Sequence, residues 1–159
     1  MKKDIFIDNN VATKFSNPQD KEYIKLTKWL MNFDVNDLEN KDNYAHLVVS
    51  QKLLVEYGRS AYGSISDTAI PAIIDKLTRE DRLVKISKQQ IIDFKNNNFT
   101  NSIEKRLKSN SEDKDHIPVV LLSSRKFVLT YDQNFTEDLE NFPGYTVNVK
   151  KRPEEIEYS

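Results

Sequence analysis

The chain has 159 residues, 38% hydrophobic and 31% charged, with 24 Lys and Arg against 25 Asp and Glu and a formal net charge of -1. That length suits one domain with a buried core, and the balanced charge excludes general attraction to polyanions, so any contact with nucleic acid needs a local basic patch or a metal. The absence of cysteine excludes disulfides, thiolate metal sites and a Cys nucleophile, and no apolar run reaches bilayer length, which together predict a cytoplasmic protein.

Ile5, Phe6 and Ile7 predict a buried strand over residues 4–8 that runs into Asp8, Asn9 and Asn10. Polar, helix-like segments follow from Val11 to Phe33, with Trp29 expected in the core or at a protein contact. Leu47-Val48-Val49 is a short apolar run, His46 before it is expected at a strand edge, and residues 51–62 read as a helix carrying Glu56. Ile70, Ile73, Ile74 and Leu77 form an i, i+3, i+4, i+7 stripe that predicts a helix within residues 68–79. Leu83 to Ile86 is a strand, and Ser87 caps a helix from Lys88 to Phe94. Asn96-Asn97-Asn98 opens a polar region reaching Lys114 that reads as a helix break or loop. An apolar helix from Ile117 to Ser124, a strand from Phe127 to Thr130 and a last strand from Thr146 to Val149 complete a single domain over residues 1–150; residues 151–159 are a charged tail, expected to be solvated. Alternating strands and helices predict an α/β fold, with a central, mainly parallel sheet flanked by helices on both faces. Such sheets bind ligands at the carboxyl ends of their strands, where Asp8 falls.

A buried carboxylate needs a partner or a metal, and three other segments bring acids to apolar runs. "FVLTYD" puts Thr130 and Asp132 at a strand end, as Asp8 and Asn10 stand at the first. "LVVSQKLLVE" places Glu56 beside Leu53, Leu54 and Val55, and "SEDKDHIPVVLLSS" puts Asp113 or Asp115 at a helix start, where orphan amides favour an anion. Helical spacing leaves that choice open, because Asp113 lines up with Ile117 and Val120 while Asp115 lines up with Val119 and Leu122. Taken singly, Glu56 reads as a partner for Lys52 or Arg59, Asp113 as a helix cap, Asp132 as a turn former and His116 as a packed or surface histidine.

Four segments in order, "IFIDNNV", "LLVEYGRS", "DKDHIPVVL" and "FVLTYDQNF", resemble the PIN domain, an α/β nuclease fold whose site is a cluster of acids. The resemblance implies a three-layer α/β/α arrangement and catalytic acids at Asp8, Glu56, Asp113 and Asp132, with Asn10 and Thr130 in support. It prefers Asp113, 19 residues before Asp132, and leaves Asp115 as an added or alternative ligand of the metal shared by Asp8, Asp113 and Asp132. Pro118, Val119, Val120 and Leu121 depart from the small alanines usual in that helix. The implied activity is a Mg²⁺- or Mn²⁺-dependent endoribonuclease of toxin or defence type, with RNA as substrate, an antitoxin-type partner protein and a homodimeric state. The metal would activate water and neutralise phosphate, and Lys14, Lys52, Arg59 and Lys126 are candidate phosphate contacts.

A PIN-like module without catalysis, binding RNA or protein, is the alternative. An aspartyl-phosphate route at Asp8 is disfavoured because Asn10 stands where dehalogenase-type phosphatases carry a second acid.

Overall fold

A computed structural model of the chain describes residues 1–16, 19–63, 66 and 68–159. Its centre is a five-stranded, all-parallel sheet of β1 (Lys3–Ile7), β2 (Ala45–Val49), β3 (Leu83–Lys85), β4 (Phe127–Leu129) and β5 (Asn148–Lys150), in the order β3-β2-β1-β4-β5. The helices are α1 (Asn9–Ala12), α2 (Lys21–Met31), α3 (Gln51–Ser60), α4 (Ile70–Arg79), α5 (Lys88–Asn98), α6 (Asn101–Arg106), α7 (Ser111–Lys114), α8 (His116–Leu121) and α9 (Gln133–Glu140).

All five residues of β2 and all but Lys3 of β1 are buried. A strand covered on both faces reads as a continuous apolar run, and helices must supply both covers. The chain steps from β1 to β2 to β3, then returns past β1 to β4 and β5. Right-handed crossovers therefore put the helices of the first two connections on one face and those of the last two on the other. Accordingly α2 packs on β2 and α4, whereas α8 packs on α5, α9 and the other side of β2. The result is a three-layer α/β/α fold whose strand order reverses between β1 and β4. A crevice opens at such a switch point, beyond the carboxyl ends of the two strands.

Several local features differ from the sequence expectations. Strand β1 stops at Ile7, so Asp8 is not its last residue but the N-cap of α1. The helix-like stretch from Val11 to Phe33 divides into α1, a 3₁₀ turn at Thr13–Phe15 and α2; Asn17 and Pro18 within it lie outside the described residues. The polar region 96–114 is largely helical rather than loop: α5 runs to Asn98, and α6 and α7 follow. The polar residues that suggested a break serve as caps. Ser87 forms a capping box with Gln90, Thr100 accepts from the Ile103 amide at 3.2 Å, and Asn110 accepts from the Asp113 amide at 2.8 Å. His46 is not at a sheet edge but is fully buried in β2, between β1 and β3, with Nδ1 2.9 Å from the Tyr44 carbonyl.

The tail is charged, yet parts of it pack. Pro153 is buried, Arg152 pairs with Asp20, and Trp29 donates to the Tyr158 carbonyl at 3.1 Å with their rings edge to face.

Buried charge elsewhere is answered by backbone. Arg82, fully buried, donates to the Leu30 and Ala45 carbonyls at 2.8 and 2.6 Å and pairs with Glu80. Asp4, the second residue of β1, is fully buried and accepts from the amides of Ser124 and Arg125 at 2.8 and 2.9 Å. Those two charge-assisted bonds hold the turn that feeds β4, so Asp4→Asn is expected to lower the unfolding free energy by about 2 kcal/mol in urea titration. An unchanged midpoint would show that the turn stands without Asp4.

Candidate active site

Asp8 leaves β1 at the switch point and is 7% exposed. As the α1 cap it accepts from the Asn9 amide at 2.8 Å, and its other oxygen accepts from the Thr130 hydroxyl at 2.6 Å. Its own amide continues the ladder to the Leu129 carbonyl at 2.9 Å. Asp132 follows β4 and caps α9, accepting from the Phe135 amide at 2.9 Å, while its amide donates to the Thr130 hydroxyl at 3.1 Å. Thr130, fully buried, thus bridges the two strand-end acids. Asn10 joins the same junction by accepting from the Tyr131 amide at 3.3 Å.

Asp113 arrives from α7, half-buried. Burial first, then the charges of Asp8 and Asp132, push its carboxyl up from 3.8 to about 6. Burial likewise raises the Asp8 carboxyl, against the Thr130 hydroxyl that holds it down. Asp113 thus feels the charges of Asp8 and Asp132, each carried on a separate segment of chain.

Glu56 borders the group but is engaged differently from the ion pairs anticipated with Lys52 or Arg59. Nε2 of His116 stands 3.0 and 3.1 Å from its two carboxylate oxygens. His116 is 1% exposed, wedged between the rings of Phe6 and Phe135, and its Nδ1 is buried without a hydrogen bond among the described residues. From the sequence His116 reads as a packed or surface histidine. The signal for its role is a titratable ring at the head of an otherwise apolar helix, which must find a partner. Tyr57 has no signal of its own in the sequence: fully buried, it donates its hydroxyl to the Ile7 carbonyl, and burial with the nearby charges of Asp8 and Glu56 keeps that hydroxyl protonated well above its usual range.

Asp115 is occupied elsewhere, bonded by Lys52 at 2.7 Å and by Lys95. Of the expected phosphate contacts, Lys14 lines a separate cleft beside Asn10 and Tyr131. Lys126 precedes β4, at the opposite end of the sheet, and donates to the Ser123 carbonyl at 3.2 Å.

Clustered carboxylates offer the hard oxygen donors that Mg²⁺ and Mn²⁺ prefer, and a cation between them would relieve the repulsion felt by Asp113. Their spacing is open: among the described residues, no group of three or more His, Asp or Glu side chains stands close enough to hold a metal ion by itself. One or two carboxylates, with water and substrate phosphate completing the shell, is the arrangement Mg²⁺ commonly adopts. No protein-family model, curated protein or solved structure matches the chain.

Because the Asp113 value in the fold lies above its ordinary 3.8, its ionisation opposes folding. The stability it contributes is full below about pH 4 and is lost as pH rises through about 6. Wild type should therefore lose stability relative to Asp113→Asn between about pH 4 and about pH 7 in parallel urea titrations. In Asp8→Asn, a carboxyl NMR titration should find Asp113 below its wild-type value. An unmoved value would mean that the Asp8 charge does not reach Asp113.

Proposed function

We propose that the protein is a divalent-metal-dependent endoribonuclease. The single observation behind this reading is that Asp113, from α7, feels the charges of Asp8 and Asp132, which follow β1 and β4 where the strand order reverses. The order of these acids along the chain resembles that of PIN-domain nucleases, and RNA is the substrate class it suggests.

One or two of Asp8, Asp113 and Asp132, with water and substrate phosphate completing the shell, would hold the cation. When bound, it would supply an activated water and neutralise the scissile phosphate. The chain's own part is positioning. The Thr130 hydroxyl fixes the Asp8 carboxylate, and the cap on the Phe135 amide fixes one oxygen of Asp132. Asp113, at about 6, exchanges a proton near neutrality and is readily displaced into its anion by a cation. Glu56, gripped by His116, borders the site as an oriented negative charge.

The open spacing of the acids favours a second reading, a PIN-like module that binds RNA without cutting it. Incubation with labelled RNA and Mg²⁺ or Mn²⁺, beside a chelator control, separates the two. Cutting should be abolished by chelator and fall more than about a hundredfold in both Asp8→Asn and Asp132→Asn, beyond the usual effect of altering a supporting residue. RNA left intact by wild type, or cut equally by the variants, would put the binding module first.

A further inference from the structure

A groove of about 480 Å³ runs between α3 and α5 and borders the acid cluster, with which it shares Glu56. From α3 it takes Lys52, Val55, Glu56 and Arg59, and from α5 Lys88, Ile91, Ile92 and Lys95. Both sets recur at helical spacing, so each helix lends one continuous face. Helix α5 buries only Phe94 on the core side, which leaves Ile92 40% exposed opposite Val55 at 41%. Neither apolar wall is covered by any described part of the chain.

The charges are not evenly matched. Four cations, Lys52, Arg59, Lys88 and Lys95, line the groove against three acids, Glu56, Glu112 and Asp115. Lys52 and Lys95 converge on the single carboxylate of Asp115, and His116 faces Glu56. Arg59 and Lys88 are exposed and form no ion pair among the described residues. On a chain of net charge -1, the lining carries an excess of one positive charge, and Arg59 and Lys88 are the cations it leaves to meet a polyanion.

We infer that this groove seats single-stranded RNA flanking the acid cluster, with backbone phosphates on Arg59 and Lys88 and a base face against Val55, Ile91 and Ile92. The inference rests on the nuclease reading for its substrate, but binding can be measured without cleavage. A groove that joins free cations to an apolar wall is the arrangement by which proteins track unpaired strands, since every base has an apolar face. Arg59 can grip a phosphate with two donors, and Lys88 acts as a point charge.

The test is fluorescence anisotropy with a labelled single-stranded RNA of about 12 nucleotides, in chelator so that no strand is cut. Arg59→Ala/Lys88→Ala and Val55→Ser/Ile92→Ser alter exposed positions only. Lys21→Ala/Lys105→Ala makes the same charge change away from the groove. Both groove variants should weaken binding at least fivefold more than the control pair. The Arg59/Lys88 pair should also flatten the slope of log K against log salt by about 1.4, the loss of two phosphate contacts.

No RNA binding by wild type overturns the inference, as does either groove variant matching the control pair. Self-association in sedimentation that Val55→Ser/Ile92→Ser abolishes would assign the groove to a second copy and overturn it as well. Metal-dependent cutting is scored separately. Cutting with unaltered groove variants leaves the nuclease and removes the groove; groove-dependent binding without cutting does the reverse.

Discussion

The Thr130 hydroxyl is the hinge on which the site turns. It has one proton to give, and the Asp132 amide already fills one of its acceptor positions, so the proton goes to Asp8. One buried oxygen atom thereby locks the ends of β1 and β4 together across the switch point. It also keeps Asp8 nearer its ionised form, because a donor to the carboxylate works against the burial that favours the neutral acid. Asp113 has no such donor side chain among the described residues. Burial raises its carboxyl most, and the charges of Asp8 and Asp132 add to the rise.

Not every buried acid belongs to this cluster. Asp4 lies near the start of β1 and Asp8 just past its end, and both are shielded from solvent. Asp4 faces two backbone amides that fully answer its charge, as Asp138 does for the amides of Lys108 and Ser109. Asp8 accepts from the Asn9 amide and the Thr130 hydroxyl and also feels the charge of Glu56. The two acids therefore differ in their company rather than in their burial.

That distinction also marks how far the sequence could be read. The strands were visible because the covered stretches Ile5–Ile7, Leu47–Val49 and Phe127–Leu129 form continuous apolar runs, and the alternation with helices led to the parallel three-layer arrangement. Asp8 and Asp132 were visible because they break those runs. Asp4 was not singled out, since nothing in one sequence says which amides will meet it. The choice between Asp113 and Asp115 stayed open for a geometric reason: two residues apart on a helical path point about 200° apart, and only the fold says which direction faces the crevice. The polar stretch 96–114 misled because Ser, Thr and Asn signal both turns and helix caps, and here they cap. The link from His116 to Glu56 spans 60 residues and has no local signature.

The two outer strands, β3 and β5, are three residues each and both end in a lysine, Lys85 and Lys150. Pro153, three residues beyond β5, has no amide hydrogen to lend. An unpaired strand edge is a template on which another chain can crystallise its own backbone, and short, charged edges remove that template. The apolar sheet inside can thus be fully buried without inviting ribbon-like growth between molecules. Where two copies of this chain do meet, helical surfaces rather than sheet margins are the favoured ground.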